Sequence, residues 1–150
     1  MINDKIKATG LVSFVLTDEN GNVKLQQEKN LVVDAGLAYI ASRMVGTAKN
    51  VMSHMAVGTG TTAALDAQTA LITESARVAL TSTTIVTTTV ANDSVQYVAT
   101  FNPGTATAAI TEAGVFNAAS AGDMLCRTKF DVINKGALDT LTITWKVTVA

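Results

Sequence analysis

The clearest pattern in the chain lies at its C-terminal end. In Thr140-Leu141-Thr142-Ile143-Thr144-Trp145-Lys146-Val147-Thr148-Val149 every second residue is large and apolar and the residues between are polar. Successive side chains of a strand point to opposite faces, so this segment predicts a strand with Leu141, Ile143, Trp145, Val147 and Val149 in one core. Threonine and valine suit the pleated surface because branching at Cβ stiffens χ1. Near the other end, Lys7 to Leu16 and Val23 to Val33 predict two strands joined through Asn20-Gly21, which supplies the positive φ of a tight hairpin. From Asp34 to Gly46 the period changes. Leu37, Ile40, Ala41 and Met44 recur at helical spacing, Asp34 can cap the start, Arg43 suits the last turn and Gly46 can end it. One short amphipathic helix is expected there.

Further strands are expected at Val51 to Val57, Arg77 to Val90, Val95 to Phe101, Ala108 to Phe116 and Met124 to Val132. Ala70 to Ala76 reads as a helical turn or irregular. The turn signals are Gly58-Thr59-Gly60-Thr61, Ala91–Ser94, Asn102-Pro103-Gly104, Ala118–Asp123 and Asn134–Asp139. Short strands with such regular punctuation predict a mostly β single domain over residues 1–150, a sandwich or a barrel, and a β-sandwich, jelly-roll or Ig-like, is the form expected. Residues 1–7 precede the first strand and are expected to form an N-terminal arm. The length of 150 residues fits one domain and a sizeable core.

Composition narrows the function more than it names it. The net charge is −1 with 15% charged residues, and the basic residues are scattered. That argues against nucleic-acid binding, where clustered Lys and Arg supply most of the affinity. No apolar run approaches the ~20 residues that span a bilayer. The start, Met1-Ile2-Asn3-Asp4-Lys5, lacks a basic region followed by an apolar one, so the expectation is a protein made and used in a cytosol. An apolar fraction of 48% with so few charges reflects either a well-filled core or apolar surface covered by partner subunits.

Candidate chemistry is sparse. His54 is the single histidine and brings no carboxylate pattern with it, so a structural or interface role is the better reading. Gly58-Thr59-Gly60 lacks the glycine spacing and the Lys-Ser/Thr pair of a phosphate loop, and reads as a tight turn. Cys126, the one cysteine, lies in an apolar strand and is expected to pack, not react. No catalytic, cofactor-binding or metal-binding residue is assigned. Most carboxylates fall in turns, with Glu74 and Glu112 as exceptions. Glu112 sits among Ile110, Ala113, Val115 and Phe116, where a charge must be paired. Its expected partners are Arg77, Arg127 or backbone N–H groups. Trp145, Ile143, Glu112, Arg77 and Arg127 are therefore the expected structural residues.

Four segments together resemble a family. They are Asn30-Leu31-Val32-Val33-Asp34-Ala35-Gly36-Leu37, His54-Met55-Ala56-Val57-Gly58-Thr59-Gly60-Thr61-Thr62, Thr111-Glu112-Ala113-Gly114-Val115-Phe116-Asn117 and Leu141-Thr142-Ile143-Thr144-Trp145. Their order is similar to that of small virion structural proteins of tailed bacteriophages, either capsid cement (decoration) proteins or tail-fibre-type domains. The resemblance covers roughly residues 30 to 149 and carries no active site. It implies a β-sandwich used for assembly: a cement protein, trimeric, seated on the major capsid protein at joints between capsomers. A tail-fibre or tail-associated adaptor bound to tail proteins is the alternative. An enzyme or sugar-binding module is a third reading, disfavoured by the expected burial of Trp145 and by only two tyrosines, Tyr39 and Tyr97.

Overall fold

The computed structural model describes residues 7–149, so the expected arm, apart from Lys7, lies outside the described residues. Nine strands and one helix follow in the order β1 (Ala8–Thr17), β2 (Val23–Val32), α1 (Asp34–Met44), β3 (His54–Gly58), β4 (Glu74–Ala79), β5 (Ser82–Val86), β6 (Ser94–Phe101), β7 (Ala108–Phe116), β8 (Met124–Lys135) and β9 (Thr140–Val149). All neighbouring strands are antiparallel and form one sheet in the order β4-β3-β7-β8-β2-β1-β9-β6-β5. The sheet curls into a half-barrel, and 52% of the chain is strand. Mostly β with one helix is therefore the architecture, a coarser description than the jelly-roll or Ig-like sandwich expected from the sequence.

Two narrow places shape the curl. On one side β2 meets β8 through only two residue pairs, Leu31 with Arg127 and Val32 with Cys126. On the other side the outermost strands, β4 and β5, are joined by only Leu80 and Thr81. Three Cα steps span at most about 11 Å, so the two edges of the sheet are held together at one corner. The Leu80 N–H donates to the Ser53 carbonyl at 2.9 Å, on the β3 side, and the Thr81 N–H to the Val98 carbonyl at 2.7 Å, on the β6 side. The single long strand expected over Arg77 to Val90 is thus two short ones at opposite edges. No glycine or proline marks the break; the two hydrogen bonds divide the run between β3 and β6. Ala70 to Ala76, read as a helical turn or irregular, is irregular as far as Thr73 and enters β4 at Glu74.

The inner face of the curl is the core. Leu141, Ile143, Trp145 and Val147 from β9 are buried beside Val12 and Phe14 from β1 and Tyr97, Ala99 and Phe101 from β6. Facing them are Met55, Val57, Ile110, Ala113, Val115, Cys126, Phe130 and Ile133 from the other half of the sheet. Phe14 and Phe130 meet across this space, ring centroids 4.3 Å apart and tilted by 42°. The expected alternation in β9 holds except at Val149, which is 41% exposed where the strand runs past the end of the core. At the hairpin between β1 and β2, Gly21 takes φ +83° and the Asp18 carboxylate accepts the N–H groups of Asn20 and Asn22, both at 2.9 Å.

The helix is present but turned. Its first residue is Asp34, with Val33 at the N-cap and no side-chain cap; the Asp34 N–H donates to the Asp66 carbonyl at 2.8 Å. Gly46, at φ +68°, follows the last turn as expected. The face that packs on the sheet carries Gly36 and Tyr39, whereas Leu37 and Met44 of the expected apolar face are 47% and 77% exposed. Close approach decides the orientation: a methyl group at Gly36 would run into the backbone of Leu125 on β8. Gly36 therefore faces inward; of the expected apolar face Ile40 stays partly buried against the core, while Leu37, Ala41 and Met44 face out.

Trp145 is completely buried and its indole N–H has no partner. Trp145→Ala should lower stability by about 3–5 kcal/mol through lost burial and the remaining cavity. Chemical denaturation followed by circular dichroism measures this, and an unchanged midpoint would contradict the placement of β9.

Candidate functional site: the buried Glu112–Arg127 centre

The most organised polar group of side chains lies where β7 and β8 pass beside the loop between β3 and β4. Glu112, on β7, is opposite Gly58 of β3 on one side and Lys129 of β8 on the other. The register of β7 against β8 breaks here, the step from Ile110 to Glu112 on β7 matching the longer one from Ile133 to Lys129 on β8. Glu112 and Arg127 are both fully buried. The Arg127 Nε and Nη2 atoms donate to Glu112 Oε2 at 3.1 and 2.8 Å. The remaining guanidinium donors reach Gln68 Oε1 at 2.9 Å and the Thr62 carbonyl at 2.9 Å.

The carboxylate also collects backbone donors from the loop. Gly60 and Thr73 donate to Oε1 at 3.0 and 2.7 Å, and Ile72 donates to Oε2 at 2.9 Å. Burial pushes the Glu112 carboxyl up, but the N–H groups of Ile72 and Thr73, the Arg127 guanidinium and the Gly60 N–H outweigh it. Its pKa is held below the usual carboxylate value. Both glycines of Gly58-Thr59-Gly60 have a reason to be there. A Cβ on either would sit 2.5–2.6 Å from Glu112 Oε1. The motif is a turn, as expected, and it is also the slot that admits the carboxylate.

Arg77 is not part of this centre. Its Nε and Nη2 donate to Glu74 Oε1 and Oε2 at 2.9 and 2.8 Å, and Nη1 donates to the carbonyls of Ala118 and Ala121 at 3.0 and 2.9 Å. The guanidinium lies over the Phe116 ring, 3.8 Å from its centroid. Of the two arginines expected beside Glu112, only Arg127 is there. The reason is the direction of β4, which carries Arg77 toward the loop between β7 and β8. Ile143 and Trp145 lie in the core of the other half of the sheet.

The other candidates remain isolated. The Ser53 hydroxyl is 2.8 Å from His54 Nδ1 at the start of β3. The Cys126 thiol is buried, and burial pushes its pKa well up. Burial likewise raises the Tyr97 phenol. Among the described residues no group of three or more His, Cys, Asp and Glu side chains could hold a metal ion. A hollow of about 120 Å³ opens where β2 and β8 diverge, lined by Phe14, Leu16, Leu25, Val132 and Ile133. Another, of about 180 Å³, lies between α1 and the β6–β9 sheet, lined by Tyr39, Ile40, Tyr97, Leu125 and Val147. Lys24 is the titratable group at the first, and Tyr39, Tyr97 and Arg43 are those at the second.

No protein-family model matches the chain, and no curated protein or solved structure matches it.

Glu112→Ala should cost about 3–5 kcal/mol, because it leaves the Arg127 charge buried and unpaired. Asp18→Ala, in an exposed turn, serves as the comparison in thermal melts. If the two variants melt together, the ion pair does not hold the loop.

A pH dependence follows as well. The folded-state pKa of Glu112 is depressed, so its contribution is complete at neutral pH. It is lost as pH falls below about 4.3, the unfolded value, and through the folded one. The wild type should lose stability along this limb, and Glu112→Gln should lack that part of the slope; parallel melting curves for both proteins would refute it.

Proposed function

We propose that this chain is a virion structural protein of a tailed bacteriophage, acting as a capsid cement or decoration protein that stabilises the head lattice through protein–protein contacts. Its partners are further copies of itself, in a trimer, and the major capsid protein. Virion localisation follows from that reading. Such a protein works by mass action, since a partner that binds only the assembled lattice shifts the equilibrium toward it.

One observation carries the reading: α1 presents Leu37, Ala41, Met44 and the following Val45 to solvent while the small Gly36 faces the sheet. A chain with 15% charged residues leaves a continuous apolar stripe on its one helix uncovered. The four segments that resemble the phage proteins support it in another way. They build the β2–α1 junction, the Gly58–Gly60 slot, the Glu112 strand and the core of β9, all of which are framework. In this reading the curled sheet serves as the sandwich of those proteins, with the β9 half and the β7 half as its two layers. A tail-fibre or tail-associated adaptor uses the same surfaces and is the alternative. The described tyrosines, tryptophan and phenylalanines are all buried, which supports contact over a sugar-binding role built on exposed rings.

Leu37→Glu with Met44→Glu should leave the melting temperature nearly unchanged, because both side chains are exposed, and should weaken binding to purified particles at least tenfold. Cryo-EM of particles bearing the wild type should place density at capsid joints. Density on the tail supports the adaptor, and binding to neither overturns the reading.

A further inference from the structure

The two outer strands of the sheet are finished in opposite ways. β4 carries the Glu74–Arg77 ion pair and a register break against β3 between Val57 and Gly58. Charges and irregularities of this kind stop a strand edge from pairing with another chain. β5 has neither. From Val78 to Asn92 there is no charged residue, no proline and no glycine. Four of the five β5 residues are exposed, and Ile85 is 68% exposed. The strand is nevertheless well held. The Asp93 carboxylate accepts the N–H groups of Thr88, Thr89 and Val90 at 2.8–2.9 Å, which fixes the turn into β6.

We propose that β5 pairs with β5 of a second copy of this chain, antiparallel about a two-fold axis at Ile85. A free strand edge is satisfied by another strand edge, and an uncharged one meets its own copy without like-charge repulsion. The sequence around Ile85 is close to self-complementary in this register. Within β5, Thr84 falls opposite Val86 and Ile85 opposite itself, while Ser82 and Thr83 fall opposite Thr88 and Thr87 in the turn that Asp93 holds. Threonine pairs and β-branched pairs are favourable cross-strand neighbours, and a two-fold axis makes every such contact twice. Ile85 also lies opposite Val95 of β6, which packs against the core, so pairing continues the inner face of the sheet from one copy into the next.

A five-residue strand buries less than the roughly 1,200 Å² of a standard interface, so the dimer is weak and concentration-dependent on its own. Repeated contacts on a lattice would reinforce it. The two-fold pairing joins two copies and is distinct from the trimer contact of the proposed function, so either can fail without the other.

The decisive variant is Ile85→Cys. Directly opposed antiparallel residues have Cα atoms about 4.5–5.5 Å apart, within the span of a disulfide. The native Cys126 is buried and does not compete. Mild oxidation of Ile85→Cys should give a covalent dimer on a non-reducing gel, while Val90→Cys, exposed but far from the axis, should not. In sedimentation velocity over a concentration series the wild type should dimerise. Ile85→Lys should remain monomeric with an unchanged circular dichroism spectrum, and Ala79→Lys, on the β4 edge, should dimerise like the wild type. A wild type monomeric at every concentration, a dimer that Ile85→Lys does not dissolve, or equal cross-linking at residues 85 and 90 would each overturn the proposal. A particle-binding assay separates the two readings. A dimer that binds no particle keeps the pairing and removes the lattice role, and a monomer that binds particles does the reverse.

Discussion

The structure depends on the requirement that a buried carboxylate be fully satisfied. Glu112 accepts from the two Arg127 nitrogens and from three backbone N–H groups, and those donors come from β8 and from both ends of the loop between β3 and β4. That loop, residues 59 to 73, contains no regular element. Its shape is set from within by one charge pair, with Gln68 tying its middle to Arg127. A buried pair of this kind adds little stability over a well-packed apolar substitute, so its contribution here is specificity. A Glu112 displaced by one strand position would face the other side of the sheet and leave Arg127 stranded, so the pair fixes the register of β7, β8 and the start of β4 together.

The placement of β4 then governs the rest of the curl. β4 runs on into β5 after two residues, yet the two strands lie at opposite ends of the sheet order. An open, flat sheet of nine strands could not be joined across its ends by so short a link; it must bend until they meet. The weak seam at β2–β8 lets it do so, because two residue pairs leave the lower halves of both strands free to diverge. Phe14 and Phe130 fill the space that opens behind the seam. The consequence is a core contributed by both ends of the chain, with most pairings between residues distant in sequence, a topology that favours slow folding.

Much of this was legible in the sequence where a residue pattern has a local cause. The alternation in β9 named four of the buried side chains, Asp34 to Gly46 located the helix, and an acidic residue in an apolar strand pointed to Arg77, Arg127 or backbone donors, of which Arg127 and the backbone are there. What was not legible has a tertiary cause. Arg77 to Val90 reads as one strand, but the hydrogen bonds of Leu80 and Thr81 to different neighbours divide it, and the Asp93 carboxylate draws Thr88 to Val90 into a turn. The helix face was misjudged because a Gly36–Leu125 approach outweighs the burial of Leu37 and Met44. The three N–H groups around Glu112 carried no motif. The one available signal was the pair of glycines at 58 and 60, whose missing side chains mark where the carboxylate enters.

The charged centre also reaches the surface. Ile72 donates its N–H to Glu112, while its side chain is exposed, and Leu65, whose N–H donates to Gln68 Oε1, is exposed as well. An interior ion pair therefore fixes the position of apolar groups that water contacts. Ordering a free side chain at an interface costs about 0.5–1.5 kcal/mol, and ordering a loop costs more. A loop already held by its own buried charges avoids most of that cost when a partner meets it. The same reasoning applies to β5, whose exit is clamped by Asp93, and to α1, which rests on β8 through Gly36. In each case the rigid contact is inside and the apolar group is outside. The apolar side chains at the surface are thus held in place by contacts made within the chain itself.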